Sequence, residues 1–323
     1  MAWVWCAQRG RSNLPLLLAI LLCLCSACAP FSRGPDDAQM AEIQTPTSSV
    51  YDRALAAYDE GRFNDALALL TPLLQSNPSA GALNLRGMIR QQQGDHATAI
   101  DDFSQALASD RTFVESLNNR ALSYQALNQL DLAEADYRTA IAQEATLGPA
   151  HYNLGILLYT DGRLPEAVAA LEQAVNHLPN DGDAWFQLGL AYDRHNQPEA
   201  AIDAFGQAIA IEQGFDDQSY YLRGILLLEI DRPAEAEADF DEAIVKGLRN
   251  ADTLFYRGLA RYAQSRLDEA ATDFNEALIY DPRFADAHYY LSYTYAQLGD
   301  QDAARNHAQA ALELDPPSLE ESP

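Results

Sequence analysis

Cysteine is confined to the first 28 residues of this 323-residue chain: Cys6, Cys23, Cys25 and Cys28, with none after. The rest therefore has no disulfide, no thiol nucleophile and no cysteine metal site. Lysine is nearly missing too, Lys246 being the single one among 21 basic residues. Those 21 face 47 acids, a formal net charge of −26. Nucleic acid and anionic lipid surfaces would be repelled over a Debye length or more, which argues against both as partners of the folded part. Long apolar runs are absent save Leu14 to Ala27, broken by Pro15 and Ser26. That run is too short for a membrane-spanning helix, which needs about 20 residues. An apolar share of 48% supplies a core and excludes a disordered chain.

Arg9 and Arg11 precede the apolar run and small residues follow it. A basic start, a short apolar stretch and a small-residue end read as an export signal over 1–27. Two cleavage readings are open. Ala27-Cys28-Ala29 has the small residues of an ordinary signal-peptidase site, but Pro30 would follow the cut directly. Leu24-Cys25-Ser26-Ala27-Cys28 resembles the bacterial lipobox, departing from it at Cys25, where leucine is usual. That resemblance implies lipid chains on Cys28. Each buried methylene contributes about 0.8 kcal/mol, and several chains together anchor firmly. Residues 28–46, rich in Pro, Ser, Thr and Gly and without periodicity, read as a flexible tether spanning about 25 Å.

Beyond the tether the chain repeats itself. Units begin near Thr47, Ala80, Val114, Gly148, Gly182, Asp217, Ala251 and Ala285. The frames are 47–79, 80–113, 114–147, 148–181, 182–216, 217–250, 251–284 and 285–318, and a short acidic tail, 319–323, follows. The eighth place is always small: Ala54, Gly87, Ala121, Gly155, Gly189, Gly224, Gly258 and Ser292. The twentieth is always alanine, and the twenty-seventh is alanine in every unit but the first, which has Leu73. Large residues stand at the twenty-fourth place, among them Leu70, Phe103, Tyr137, Leu171, Phe205, Phe240 and Phe274. Small residues let two antiparallel helices cross closely, and the large ones fill the space beside the crossing. Turn signals such as Asp161-Gly162 and breakers such as Leu178-Pro179 and Asp281-Pro282 punctuate the pattern.

On these residues the chain resembles the tetratricopeptide repeat (TPR) family over 47–318; Trp185, Leu188, Gly189, Tyr192, Ala201, Phe205 and Ala208 match one unit nearly place for place. The resemblance implies an all-α fold, a right-handed superhelix (α-solenoid) of about eight helix-turn-helix repeats. The first and last units depart most, as terminal repeats do when one flank faces water. Arg305, Asn306, His307 and Gln309 make the final helix polar.

Two patterns compete for a functional reading. Arginine recurs at the seventh place (Arg53, Arg86, Arg120, Arg223, Arg257), and four of those five units carry Asp102, Asp136, Asp239 or Asp273 at the twenty-third. Where the seventh is Leu154 or Leu188, the twenty-third is Ala170 or Ala204. That exchange predicts a scaffold role: an interhelical ion pair swapped for an apolar contact. The resemblance implies that the second, fifth, sixth and ninth places line a concave groove. Its fifth places read Tyr152, Phe186, Tyr221, Phe255 and Tyr289, an aromatic ladder suited to a peptide or, alternatively, rings that pack against the adjacent unit's helix. Upstream the groove turns polar with Asn84, Asn118 and Asn119, and Asn153 follows; such amides grip peptide backbone in related grooves. Glu115, Asp183, Asp252 and Asp286 at second places would repel a C-terminal carboxylate and favour a basic partner.

Catalysis finds no motif. The histidines are scattered over the repeat phases without metal-ligand spacing, and no phosphate-binding or nucleophile-elbow motif occurs. The expectation is a non-enzymatic scaffold without cofactor or metal, binding proteins or peptides. It looks similar to Gram-negative TPR lipoproteins that recruit cell-wall enzymes or assist outer-membrane and pilus assembly. Ala29 lacks the aspartate of inner-membrane retention, so the family resemblance places it in the outer membrane facing the periplasm. The alternatives are a glycan-strand-binding accessory, with the aromatics as a sugar platform, and a soluble periplasmic assembly chaperone. Partner identity and oligomeric state stay open.

Overall fold

The structure, a computed structural model, describes residues 49–76, 78–211 and 216–314. The leader 1–27, Cys28, the tether and the 319–323 tail lie outside the described residues. Among the described residues there are sixteen helices and no strand. The first eight are α1 (Val50–Asp59), α2 (Phe63–Ser76), α3 (Ala80–Gln92), α4 (His96–Ser109), α5 (Val114–Ala126), α6 (Leu130–Gln143), α7 (Gly148–Thr160) and α8 (Leu164–His177). The second eight are α9 (Gly182–Arg194), α10 (Pro198–Ile211), α11 (Asp216–Glu229), α12 (Pro233–Val245), α13 (Ala251–Ala263), α14 (Leu267–Tyr280), α15 (Ala285–Leu298) and α16 (Gln301–Leu314). The chain forms two compact units that divide between Pro179 and Asn180, so α1–α8 belong to one and α9–α16 to the other. Each unit holds four helix pairs, one per repeat.

Local chemistry sets the helix ends. Ser49, Ser79, Asp95, Asp181 and Asn250 each accept a backbone N–H at an N-cap. Pro149, Pro165 and Pro233 occupy first-turn positions, where their missing N–H is harmless. The turn between paired helices is uniform: the fifteenth place of every repeat has positive φ. Glycine takes it in four repeats (Gly61, Gly94, Gly162, Gly299), and Asn128, Asn196, Asp231 and Ser265 take it in the others. The sequence pattern shows only the glycine half of this rule, because asparagine and aspartate do the same work less visibly.

Packing follows the small-against-large pattern. At Gly258 an added Cβ would lie 2.6 Å from Phe274 Cε1, and at Gly87 equally close to Phe103. Phe103, Tyr137, Phe205, Phe240 and Phe274 are all completely enclosed. Each such side chain contributes about 1.5–3 kcal/mol by leaving water.

The arginine pattern is a clasp between paired helices. Arg86 bonds Asp102, Arg120 bonds Asp136, Arg223 bonds Asp239 and Arg257 bonds Asp273, with shortest N···O distances of 2.6–2.7 Å. The clasp also reaches back one repeat: Arg120 Nη1 donates to Ser104 and Arg257 Nη1 to Asp241. Arg53, facing no aspartate, is exposed. Glu237 is a second stitch, accepting from Arg261 (2.9 Å), Gln264 (2.8 Å) and Arg266 (2.6 Å) of the next repeat. Burial pushes its carboxyl up, but these donors hold it below the usual carboxylate range. In the other unit Glu134 likewise pairs with Arg163 of the next repeat (2.7 Å), and also with Arg138 of its own helix.

Candidate functional site

The asparagines form a ladder between first helices of the α1–α8 unit. Asn84 on α3 accepts from Ser116 Oγ (2.9 Å) and Asn119 Nδ2 (3.2 Å) on α5. Asn118 on α5 accepts from Asn153 Nδ2 on α7 at 3.0 Å. Gln91 Nε2 donates to the Asn119 carbonyl and to Ser123 Oγ, both at 3.1 Å. All of these residues are buried. Asn119 and Asn153, expected to grip a peptide, commit amide protons to the neighbouring helix instead. An amide offers both a donor and an acceptor, and the adjacent repeat presents the complementary edge first. Gln91 Oε1 is buried without a partner.

Three of the fifth-place aromatics follow the packing alternative. Phe186, Tyr221 and Phe255 are core residues, not an open wall. Phe255 lies with its ring centroid 5.6 Å from Phe274, 4.7 Å from Phe284 and 5.7 Å from Tyr290 of the next repeat. Tyr221 sits 6.1 Å from Phe240 and 5.9 Å from Tyr256, and Phe186 lies 5.7 Å from Phe205. A ring at the fifth place fills the gap between its own second helix and the following first helix, so it seals the seam. Burial pushes the Tyr221 hydroxyl well above its ordinary value. Tyr152 is half-buried.

Only in the last repeat does the ladder reach the surface. Tyr289 is 39% exposed and Tyr293, at the ninth place, 50%. Their rings lie 4.8 Å apart, with the Tyr289 hydroxyl donating to that of Tyr293 at 3.3 Å. Asp286 lies in the first turn of the same helix. The ninth-place row groups Tyr293 with Leu122, Ile156, Leu190, Ile225 and Leu259 as groove lining, and its exposure sets it apart from them. The signal was there: tyrosine where the other repeats are aliphatic.

Two of the second-place acids, Asp183 and Asp252, lie near another carboxylate. Burial pushes the Asp183 carboxyl up, and neighbouring Asp181 adds to the rise. Among the described residues no group of three or more His, Cys, Asp or Glu side chains is placed to hold a metal. No described helix is long and apolar enough to cross a membrane.

The tetratricopeptide repeat family model matches residues 51–112, 118–177, 152–220, 221–279 and 257–318. The chain belongs to the tetratricopeptide repeat family. TPR arrays generally mediate protein–protein interaction and are typically non-enzymatic scaffolds. Similar curated proteins include the general transcriptional corepressor ssn6 of Schizosaccharomyces pombe, 26% identical over 132 residues, and trfA of Dictyostelium discoideum, 25% over 125 residues. These matches take in 40% and 38% of this chain but span only 12% and 9% of those relatives. Among solved structures, Pseudomonas aeruginosa pilF aligns over 65% of this chain and 96% of its own, with TM-score 0.53 and 21% identity. YrrB, a TPR protein with an unusual peptide-binding site, aligns over 57% of this chain and 94% of its own, with TM-score 0.52 and 22% identity. At these identities the likeness concerns the fold.

Proposed function

We propose that this TPR protein is a lipid-anchored envelope scaffold that captures a protein partner through an extended segment laid against α15. The observation that carries the reading is the Tyr289–Tyr293 pair, 39% and 50% exposed and side by side on α15. Two rings at i, i+4 on a helix face offer a rigid apolar wall at low entropic cost. Asp286 beside them and the net charge of −26 favour a basic segment, whose cations also suit tyrosine faces. The lipobox-like run ending in Cys28 supports anchoring, and Ala29 supports the outer membrane, with the array facing the periplasm and serving cell-wall enzyme recruitment or outer-membrane and pilus assembly.

Replacing Tyr289 and Tyr293 together by alanine tests the binding face. Loss of a crosslinked partner protein with unchanged helical content is the supporting result. The same tyrosine pair is a specific reason to test glycan: loss of peptidoglycan binding with retained protein capture would favour the sugar-stacking reading. Cys28→Ala tests the anchor. Release from the membrane fraction supports it, and unchanged localisation favours a soluble assembly chaperone.

A further inference from the structure

The last repeat lacks the arginine–aspartate clasp. Its seventh place is Leu291 and its twenty-third is His307, where four other repeats have arginine and aspartate. In its stead His307 on α16 meets His288 on α15, with the two Nδ1 atoms 2.9 Å apart and the ring centroids 5.1 Å apart. At that distance one Nδ1 must carry the hydrogen and the other must accept it, so at least one ring has an unprotonated Nδ1. Tyr295 stacks on His307 with centroids 5.6 Å apart, and its hydroxyl accepts from Asn275 of α14 at 3.0 Å. The pair therefore joins the last helix to its partner and to the repeat before. Ala304 is the one fully buried residue of α16; Ala303, Ala308 and Ala311 are half-buried.

We propose that the His288–His307 contact is a proton-operated latch that holds α16 against α15 at neutral pH and releases it on acidification. A first added proton can still be shared across the contact. A second leaves two imidazolium donors face to face, which removes the bond and adds repulsion. Other charged groups on the packed helices are spoken for: Arg305 pairs with Asp302 on α16, and Glu276 of α14 pairs with Arg249. Asp286 lies two residues before His288, and no ion pair to either ring occurs among the described residues. Burial, with His288 adding to it, lowers the proton affinity of His307 below the ordinary histidine value. The folded state thus binds fewer protons than the unfolded one. Closure is complete above about pH 6.5 and is lost progressively as pH falls below it. In the clasped repeats the acceptor is a carboxylate paired with arginine, which keeps its charge through this range.

Hydrogen–deuterium exchange of the full chain at pH 7.5 and 5.0, corrected for intrinsic rates, tests the latch. Expected is a loss of protection in α16 of about tenfold or more at pH 5.0, with α14 unchanged. The double variant His288→Leu with His307→Ala, residues that hold these places in Leu254 and Ala204, should make α16 protection independent of pH. Equal protection of wild-type α16 at both pH values would overturn the proposal, as would the same acid loss in the double variant. Should that variant fold poorly, an NMR titration of the wild-type rings decides alone: coupled titration of both histidines supports the latch, and two independent titrations at ordinary values refute it.

Discussion

Arg257 holds Asp273 at 2.6 Å on its own repeat's second helix and Asp241 at 2.7 Å on the second helix of the repeat before. One guanidinium so fixes both the angle within a helix pair and the stacking of one pair on the next. Burial pushes the Asp273 carboxyl above its ordinary value although the Arg257 and Arg261 guanidiniums pull it down, and, despite burial, the carboxylates of Asp273 and Asp241 hold Arg257 above its usual range. Removing Asp273 takes away the buried partner of Arg257 and leaves it only the more exposed Asp241, so Asp273→Ala should destabilise the protein by about 2–3 kcal/mol. The chain itself suggests the rescue, because two repeats carry leucine and alanine at these places. Arg257→Leu combined with Asp273→Ala should return to within about 1 kcal/mol of wild type in urea denaturation. Additive losses would refute the exchange rule.

Gly258 faces the Phe274 ring so closely that a methyl group has no room, with ring carbons at 2.6–3.2 Å from a built Cβ. Gly258→Ala should cost about 1–3 kcal/mol by overpacking, although alanine is the better helix former. Thermal melting of the variant checks the sign. A stabilised variant would mean the ring moves aside freely.

Ser265 has φ 61°, a left-handed conformation that glycine takes in four equivalent turns. Its side chain is exposed and gains no packing there. Ser265→Gly should therefore stabilise the chain by about 0.5–1 kcal/mol, read as a higher midpoint in denaturant.

The fold was legible because each packing rule occupies a fixed place in eight copies, and the clasp because its two members change together within one chain. The binding face was harder. Period and residue type mark Phe255 and Tyr289 as equivalents, yet Phe255 is buried and Tyr289 is exposed. Whether a ladder position is wall or seam depends on the size of a neighbour 35 residues on, as Tyr290 shows against Phe255. Asn119 and Asn153 misled for the same reason. The histidines looked scattered, but His151 and His288 share the fourth place, and each meets a second histidine in its own repeat.

His151 and His177, stacked at 5.8 Å, give the α1–α8 unit its own acid sensitivity. Burial, with a contribution from His177, lowers the His151 ring below its ordinary value despite its bond to the Ala145 carbonyl. An unfolded histidine takes its proton near pH 6.5, before the folded one does. Stability is thus full above that value and declines as pH falls toward the folded value. Denaturation midpoints at pH 7.5 and 5.5 should differ more for wild type than for His151→Leu.

Site-specific photocrosslinking in the intact envelope tests the central claim most directly. A crosslinker at Tyr293, compared with one at exposed Gln207, should give a discrete protein adduct from the first site alone, lost when Tyr289 is replaced by alanine. Adducts to glycan alone, or equal adducts from both sites, would contradict a partner-binding face on α15.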